Sequence, residues 1–480
     1  METHSCDVLI IGSGPGGAMS AALLAEAGLD VLIVEEGPDL PLSSAPSYSL
    51  AEMNQKYRNS GLTTTFGAPN ITYIEGRCVG GSSEINAGLY HRPLESTLRA
   101  WQLQFQVDDL EPGSLDPHFD AVEAEVGVSG SPLAMDPSSE KIQRGAQKLG
   151  WKAREIQRFW RYEKDQAGAW VGHRQSMSQT LIPRARRAGA RLLADTRILK
   201  LVHTGSVATE ALGTRTGADG AKTRVKISFD QVFVCAGAIH SPLLLRRSGI
   251  VRNVGDNLRL HPMIRFAARF REPFNDPHFG VPVHQIEEFK PLITLGGSHS
   301  SLPHLAMWMG NLPDKLHRLR DWQTMAVFYV AVVSPAKGTV RDLPWVHQPF
   351  ARYGLGGVDR ALLGEALYRL GQLAFAAGAV EIYNPIAGGP MIRHPEDLAW
   401  VRAGLPLDRV SISTIHLFST CPMGEDRNQC AVDSHGRLHG FLNVHVNDAS
   451  ILPLSPAVNP QGTILALARR NALHLLQTRA

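Results

Sequence analysis

Cysteine is scarce in this 480-residue chain: the five present, Cys6, Cys78, Cys235, Cys421 and Cys430, are scattered and form no C-x-x-C pair. That excludes a disulfide framework and the usual zinc signatures, and no metal ligand set is read. Missing too is any apolar run of the ~20 residues that a membrane helix needs. The N-terminus, Met1 to Ser5, passes into an apolar strand without a basic n-region or a cleavage pattern. The expectation is a soluble, cytoplasmic protein without membrane insertion. Charge of one sign is also lacking, because 48 basic against 45 acidic residues leave a net +3. The Arg-rich pieces around Arg184, Arg186 and Arg187 are short, so no nucleic-acid partner is indicated. No internal repeat, heptad run or low-complexity tract points to a scaffold. What remains, 44% hydrophobic and 19% charged residues, suits a globular chain long enough for more than one domain and a large core. Nothing in it fixes an oligomeric state.

Asp7 to Ile11 is a short, continuously apolar run, the composition of a parallel strand covered on both faces. Gly12, Gly14 and Gly17 follow at G-x-G-x-x-G spacing, and the Ala/Leu-rich stretch Ala18 to Ala27 ends at Gly28, a natural helix C-cap. Pro15 falls in the first turn of that helix, where its missing N–H costs nothing. A second apolar run, Val31 to Val34, then delivers Glu35, with Glu36 beside it, to a position where a carboxylate accepts hydrogen bonds from a ribose. The unit reads as β-α-β, with glycines admitting a pyrophosphate to the helix N-terminus. NAD and FAD use the same cradle, so this segment leaves the choice open.

Residues 75–93 form a loop rich in glycine and small polar residues, a backbone-lined ligand wall rather than a core element. Its Gly76, Arg77, Gly80, Gly81, Ser82, Ser83, Asn86 and Arg92 resemble the first signature of the glucose-methanol-choline flavoenzymes, and Ala87 and Gly88 lie in the same segment. The resemblance continues at Val232 to Ala238, which holds Ala236 and Gly237, at Ser241 to Leu245, and at Val254 to Leu258 with His261 and Pro262. Near the end, Asn447 to Pro453, with Asp448 and Ala449, and Asn459 to Thr463, with Pro460 and Gln461, are similar to the family's flavin-contacting motif. Ile198 occupies the position whose backbone faces the adenine in relatives.

The resemblance implies FAD as cofactor and an α/β fold: a Rossmann-like FAD-binding domain of the glucose-methanol-choline and cholesterol-oxidase type, with an inserted α+β substrate domain on an antiparallel sheet. The expected partition is 1–99, 171–262 and 410–480 for the discontinuous FAD-binding domain, and 100–170 and 263–409 for the substrate domain. Alternation over Met325 to Val333 predicts a strand, and the period over Arg360 to Ala377 a helix. Ile85 stands where some relatives carry a histidine bonded to the flavin, so the FAD is expected to be non-covalent.

Flavin-dependent alcohol oxidation moves a hydride from carbon to flavin N5 while a base takes the hydroxyl proton, and neutral histidine suits that task. With nineteen histidines, residue type alone decides nothing. Ile415 to Gly424 resembles the family's catalytic-histidine segment, which implies His416 as the base, although Ser419 replaces the usual glycine. The same resemblance implies Asn459 as the residue orienting the substrate oxygen. His91, His261 and His439 are read as structural, and Cys78 and Cys421, close to the expected flavin site, as packing residues. Met307, Trp308 and Met309, with Trp322, Phe328 and Tyr329, are read as core or as an apolar pocket wall. The expected activity is oxidation of an alcohol, with oxygen or another electron acceptor reoxidising the flavin. A non-redox lyase of the same fold and a non-catalytic flavin-binding protein stand as alternatives.

Overall fold

A computed structural model describes residues 1–276, 280–343 and 348–479. Strand β1 (Glu2–Ile11), helix α1 (Pro15–Glu26) and strand β2 (Val31–Val34) form the expected β-α-β unit. Strand β3 (Lys222–Val234) pairs with β1 on the side opposite β2, in parallel like β2. The sheet runs Arg191–Leu193, β2, β1, β3, Val207–Thr216, Thr196–Thr204, and Val444–Val446 also pairs with β3. Its parallel part is continuously apolar because both faces are covered: Val8 to Ile11, Val31 to Val34 and Val232 to Val234 are all buried. On one face α1 is buried from Gly16 through Ala25 and packs against helix α3 (Gln461–Arg479).

A second sheet is organised around strands β4 (Met263–Arg269) and β5 (Met325–Val332), antiparallel with Arg265 opposite Tyr329. Among the described residues it contains nine strands, and its pairs are antiparallel except where Ile412–Thr414 lies parallel to Ile71–Tyr73. Alternation divides its faces. Ile264, Phe266, Phe328 and Val330 join the core under helix α2 (Gly357–Ala376), while Met263, Arg265 and Tyr329 point to the opposite face. Three short strands, Thr63–Thr64, Ile71–Tyr73 and Ile412–Thr414, fall in ranges expected on the nucleotide side yet sit in this second sheet. Thr72, Ile412 and Ser413 of these strands line the cavity that residues of the first sheet also line. Among the described residues no helix is long and apolar enough to cross a membrane.

Candidate functional site

Four strands of the first sheet end level with one another. Ile11 is in register with Val34 and Val234, and Val234 with Val446. The residues that follow each strand, Gly12, Glu35, Ala236 with Gly237, and Asp448 with Ala449, therefore meet at one edge and line a cavity of about 1200 Å³. Ligands of open parallel sheets bind at this edge. Gly12 adopts φ +103°, and a Cβ there would run into the carbonyl oxygen of Cys235. A Cβ on Gly16 would strike the carbonyl of Asn447, and one on Gly17 that of Gly12. Gly14 differs, because a Cβ there would meet nothing within 4 Å and would project into the cavity. Gly14 is also the N-cap of α1 and gives it no side-chain cap, so the first-turn N–H groups face the open space. Bare helix N–H groups with room for a bulky anion fit the pyrophosphate of a dinucleotide.

At the end of β2, Glu35 accepts hydrogen bonds from Ser13 Oγ (2.7 Å), Ser13 N (3.1 Å) and Gly37 N (2.9 Å). Burial pushes its carboxyl above the usual carboxylate range, against the pull of those donors. A carboxylate offers about four lone-pair sites, so one remains for a ribose hydroxyl. Glu36 is spent differently. It pairs with Arg58 (3.1 Å), Arg77 (3.4 Å) and Arg197 (3.8 Å), and although burial opposes its charge, Arg58 and its neighbours hold it down to about 2.

The loop of residues 75–93 is strapped across the cavity. Gly80 N donates to Ser13 Oγ (3.0 Å), a Cβ on Gly81 would lie 2.9 Å from Gly14 Cα, and Asn86 Nδ2 donates to Gln461 Oε1 (2.5 Å) at the start of α3. Ser83 Oγ accepts from Met177 N (3.0 Å), and Glu84 accepts from Ser176 and Ser178. Of the residues the sequence assigns to the cofactor, Gly12, Gly14, Pro15, Glu35, Glu36, Gly81, Ser82, Asn86, Ala87, Gly88, Ile198, Ala236, Gly237, Asp448, Ala449, Pro460 and Gln461 are on the cavity wall. Gly17, Arg77 and Gly80 are not: Gly17 serves the close packing of α1, Arg77 turns to Glu36, and Gly80 makes a left-handed turn at φ +92°. Ser13, which joins Glu35 to the strap, gave no sequence signal beyond lying inside the glycine fingerprint.

His416 and Asn459 line the same cavity, with Asn459 Nδ2 3.2 Å from His416 Nε2. The other ring nitrogen, Nδ1, is 2.9 Å from Nδ1 of His261, whose Nε2 is 2.5 Å from Ser455 Oγ. Pairing of Leu260 with Leu417 brings the two histidines together. His261, read from sequence as structural, thus touches His416 directly. Ser455 Oγ also accepts from Ala457 N (3.0 Å). Burial, reinforced by His261, His91 and Arg265, holds His416 well below the ordinary histidine value, and burial holds His261 down to about 3. Both rings are neutral near pH 7. His439 bonds to the Gly424 carbonyl (2.9 Å) and His91 to Gln285 (3.0 Å). Ser419 is buried at φ +71°, the conformation glycine adopts freely, and its hydroxyl has no partner.

The wall opposite the first sheet comprises Tyr48, Met263, Arg265, His299, Trp308 and Tyr329 among others. Met307, Trp308 and Tyr329 are on the cavity as one sequence reading had it, whereas Met309 and Phe328 are core and Trp322 packs against it. Arg265 was missed, although an arginine inside the apolar stretch from Met263 to Ala268 was a visible signal. All five cysteines are buried free thiols, and it is Cys235, not Cys78 or Cys421, that lines the cavity. Burial pushes Cys6 up to about 12 and raises Cys235 well above its ordinary value, so neither is a thiolate.

Residues 53–263 and 350–468 match the GMC oxidoreductase family, and residues 5–63 an FAD binding domain. An uncharacterized GMC-type oxidoreductase of Sinorhizobium fredii is 37% identical, covering 97% of this chain and 94% of its own. A long-chain-alcohol oxidase of Arabidopsis thaliana is 24% identical over 96% of this chain and 67% of its own. The crystal structure of pyridoxine 4-oxidase from Mesorbium loti superposes with a TM-score of 0.74 at 20% identity, covering 98% of this chain and 99% of that one.

Proposed function

This chain belongs to the GMC oxidoreductase family, and from that premise we propose that it oxidises an alcohol to a carbonyl with His416 as the base and Asn459 orienting the substrate oxygen. FAD is the cofactor; when bound it supplies the hydride acceptor, held by the Gly14 cradle, the Glu35 carboxylate and the strap of residues 75–93. The observation that carries the reading is the 3.2 Å pair of His416 Nε2 and Asn459 Nδ2 on the wall of the cavity that the nucleotide cradle also lines. Alcohol oxidases among the relatives agree with it.

One arrangement of donors and acceptors satisfies the whole chain of contacts with the amide as oriented. Asn459 N–H donates to His416 Nε2, His416 Nδ1–H to His261 Nδ1, and His261 Nε2–H to Ser455 Oγ. In that tautomer Nε2 of His416 carries the lone pair, and it faces the cavity. An alcohol entering between the two side chains gives its proton to Nε2 and accepts from the Asn459 amide, so proton removal and orientation fall to different residues. His261 acts through His416, as a positioning residue that keeps the Nδ1–H form.

The test is the anaerobic reductive half-reaction of FAD-loaded enzyme with a panel of alcohols. His416→Ala should retain FAD and slow flavin reduction by roughly 10²-fold or more, while reoxidation of chemically reduced flavin changes less. Wild-type protein whose flavin no alcohol bleaches, or a His416→Ala variant that reduces flavin at the wild-type rate, overturns the reading. Oxygen consumption then separates oxygen from another terminal acceptor. The FAD is proposed to be non-covalent, because Ile85 offers no nucleophile on the cavity wall; acid precipitation should release all yellow colour into the supernatant.

A further inference from the structure

Arg265 is a cation placed on the cavity wall without a counter-charge. It projects from β4 on the face turned to the cavity, beside Ser413 and within electrostatic reach of His416. Its guanidinium donates to Ser413 Oγ (2.5 Å) and Met263 Sδ (3.5 Å) and lies 4.9 Å from the ring centre of Trp308. Among the described residues no carboxylate pairs with it, whereas Arg58 at the nucleotide end is held by Glu36 and Glu75. Burial alone pulls the Arg265 guanidinium down to about 10, still charged at neutral pH. Its titratable neighbours bring no negative charge. Burial, then His299 and Arg265, holds His304 down to about 4, and burial pushes Tyr329 up to about 12.

A desolvated cation is costly unless an anion joins it. The guanidinium spends one donor on Ser413 and one on Met263 and has five in all, so a cation with N–H groups to spare on the cavity wall describes a seat for a group that only accepts. One guanidinium balances one negative charge and its planar fork matches two oxygens. A phosphate ester, with close to two charges, would leave one uncompensated beside Met263, Met307 and Ile415, which also line the wall.

We infer that the alcohol taken by this site carries a carboxylate, seated on Arg265 while its carbinol oxygen lies between His416 and Asn459. The inference rests on the proposed alcohol oxidation for its substrate, and on Arg265 for its anion.

The test uses FAD-loaded enzyme and two probes that cannot be oxidised, butyrate and butyramide, titrated against the visible spectrum of the flavin. Butyrate should bind at least about 10-fold tighter than the neutral amide, a gap within the range of one charge-assisted hydrogen bond. Arg265→Met and Arg265→Gln should erase that preference, and Arg265→Lys should restore part of it; either neutral variant that keeps FAD suffices. Equal binding of the two probes to wild type, or a preference that survives in the neutral variants, overturns the proposal. Anaerobic flavin reduction by hydroxy acids and by their methyl esters separates the two layers. Acids favoured by roughly 10-fold or more in kcat/KM, with the advantage lost on removing Arg265, support both. Esters and acids reducing flavin equally well sink the carboxylate seat and leave alcohol oxidation standing. Arginine-dependent butyrate binding with no alcohol able to reduce the flavin sinks the oxidation and keeps the seat.

Discussion

At the nucleotide end of the cavity the wall is backbone packed on backbone: Gly12, Gly16 and Gly17 each touch a carbonyl that leaves no room for a methyl group, and the Glu35 and Glu36 carboxylates are engaged by Ser13, Gly37 and three arginines. At the other end the wall is side chains, and Arg265 among them bonds to Ser413 and Met263 but has no anion. The first end is shaped by its own backbone and leaves only the first-turn N–H groups of α1 and one lone pair of Glu35 for a ligand. The second has bonds to make, and those are available to a ligand. The difference separates a site shaped for one constant molecule from a site whose selectivity is set by a few replaceable side chains.

The sharpest way to break this contrast is to put a methyl group where there is no space. Gly16→Ala drives a Cβ into the Asn447 carbonyl and should leave little folded, FAD-bound protein, since the backbone of two packed segments must move. Gly14→Val is the informative partner, because its side chain enters the cavity instead of the backbone. That variant should fold but bind little FAD, and should lose the thermal stabilisation that FAD gives the parent. Full FAD occupancy in Gly14→Val, read by absorbance after desalting, would place the pyrophosphate elsewhere.

Next in size is His261→Phe, which removes the acceptor for His416 Nδ1–H without touching the cavity wall at Gly14. An outer partner of this kind is worth roughly 10- to 100-fold. Flavin reduction should slow by that factor, FAD content should hold, and the pH profile should change. In the parent, His416 lies below the ordinary value of about 6.5 because burial, with His261 second, disfavours its charged form. The neutral, proton-accepting ring is therefore present at neutral pH and is lost only as pH falls through the lowered value. Reduction rates should stay level above about 6.5 and drop on the acid side. A His261→Phe enzyme with unchanged rate and unchanged profile would return His261 to a purely structural role.

The smallest expected effect is a gain. Ser419 sits in a left-handed conformation with a buried hydroxyl that bonds to nothing. Ser419→Gly relieves both and should stabilise by roughly 1 kcal/mol, visible as a modest rise in Tm. A fall in Tm would mean that the hydroxyl has a partner in solution.

The same division explains what could be read without coordinates. The glycine fingerprint and the apolar strands around it are local signals whose meaning is fixed by backbone geometry, so the β-α-β unit was legible, whereas Asp448 came from resemblance. Helix α2 and strand β5 followed from their periods. His416 and Asn459 came from resemblance, not from spacing, and the structure puts them 3.2 Å apart although 43 residues separate them. The contact of His261 with His416 was not legible, because it depends on a two-residue strand pairing across more than 150 positions. Arg265 and His299 reach one wall only through the register of the second sheet, and no local pattern encodes that register. Three short strands fall in ranges expected in the FAD-binding domain and lie in the second sheet, since segments of two or three residues are too short to show a period.

The strap of residues 75–93 has a consequence in time. It is fastened to Ser13, to Met177 with Ser176 and Ser178, and to Gln461, three segments far apart in the sequence. The bond from Asn86 to Gln461 spans 375 positions, so the fastening cannot be complete before the segment that starts at Gln461 has been made and has folded back to meet the strap.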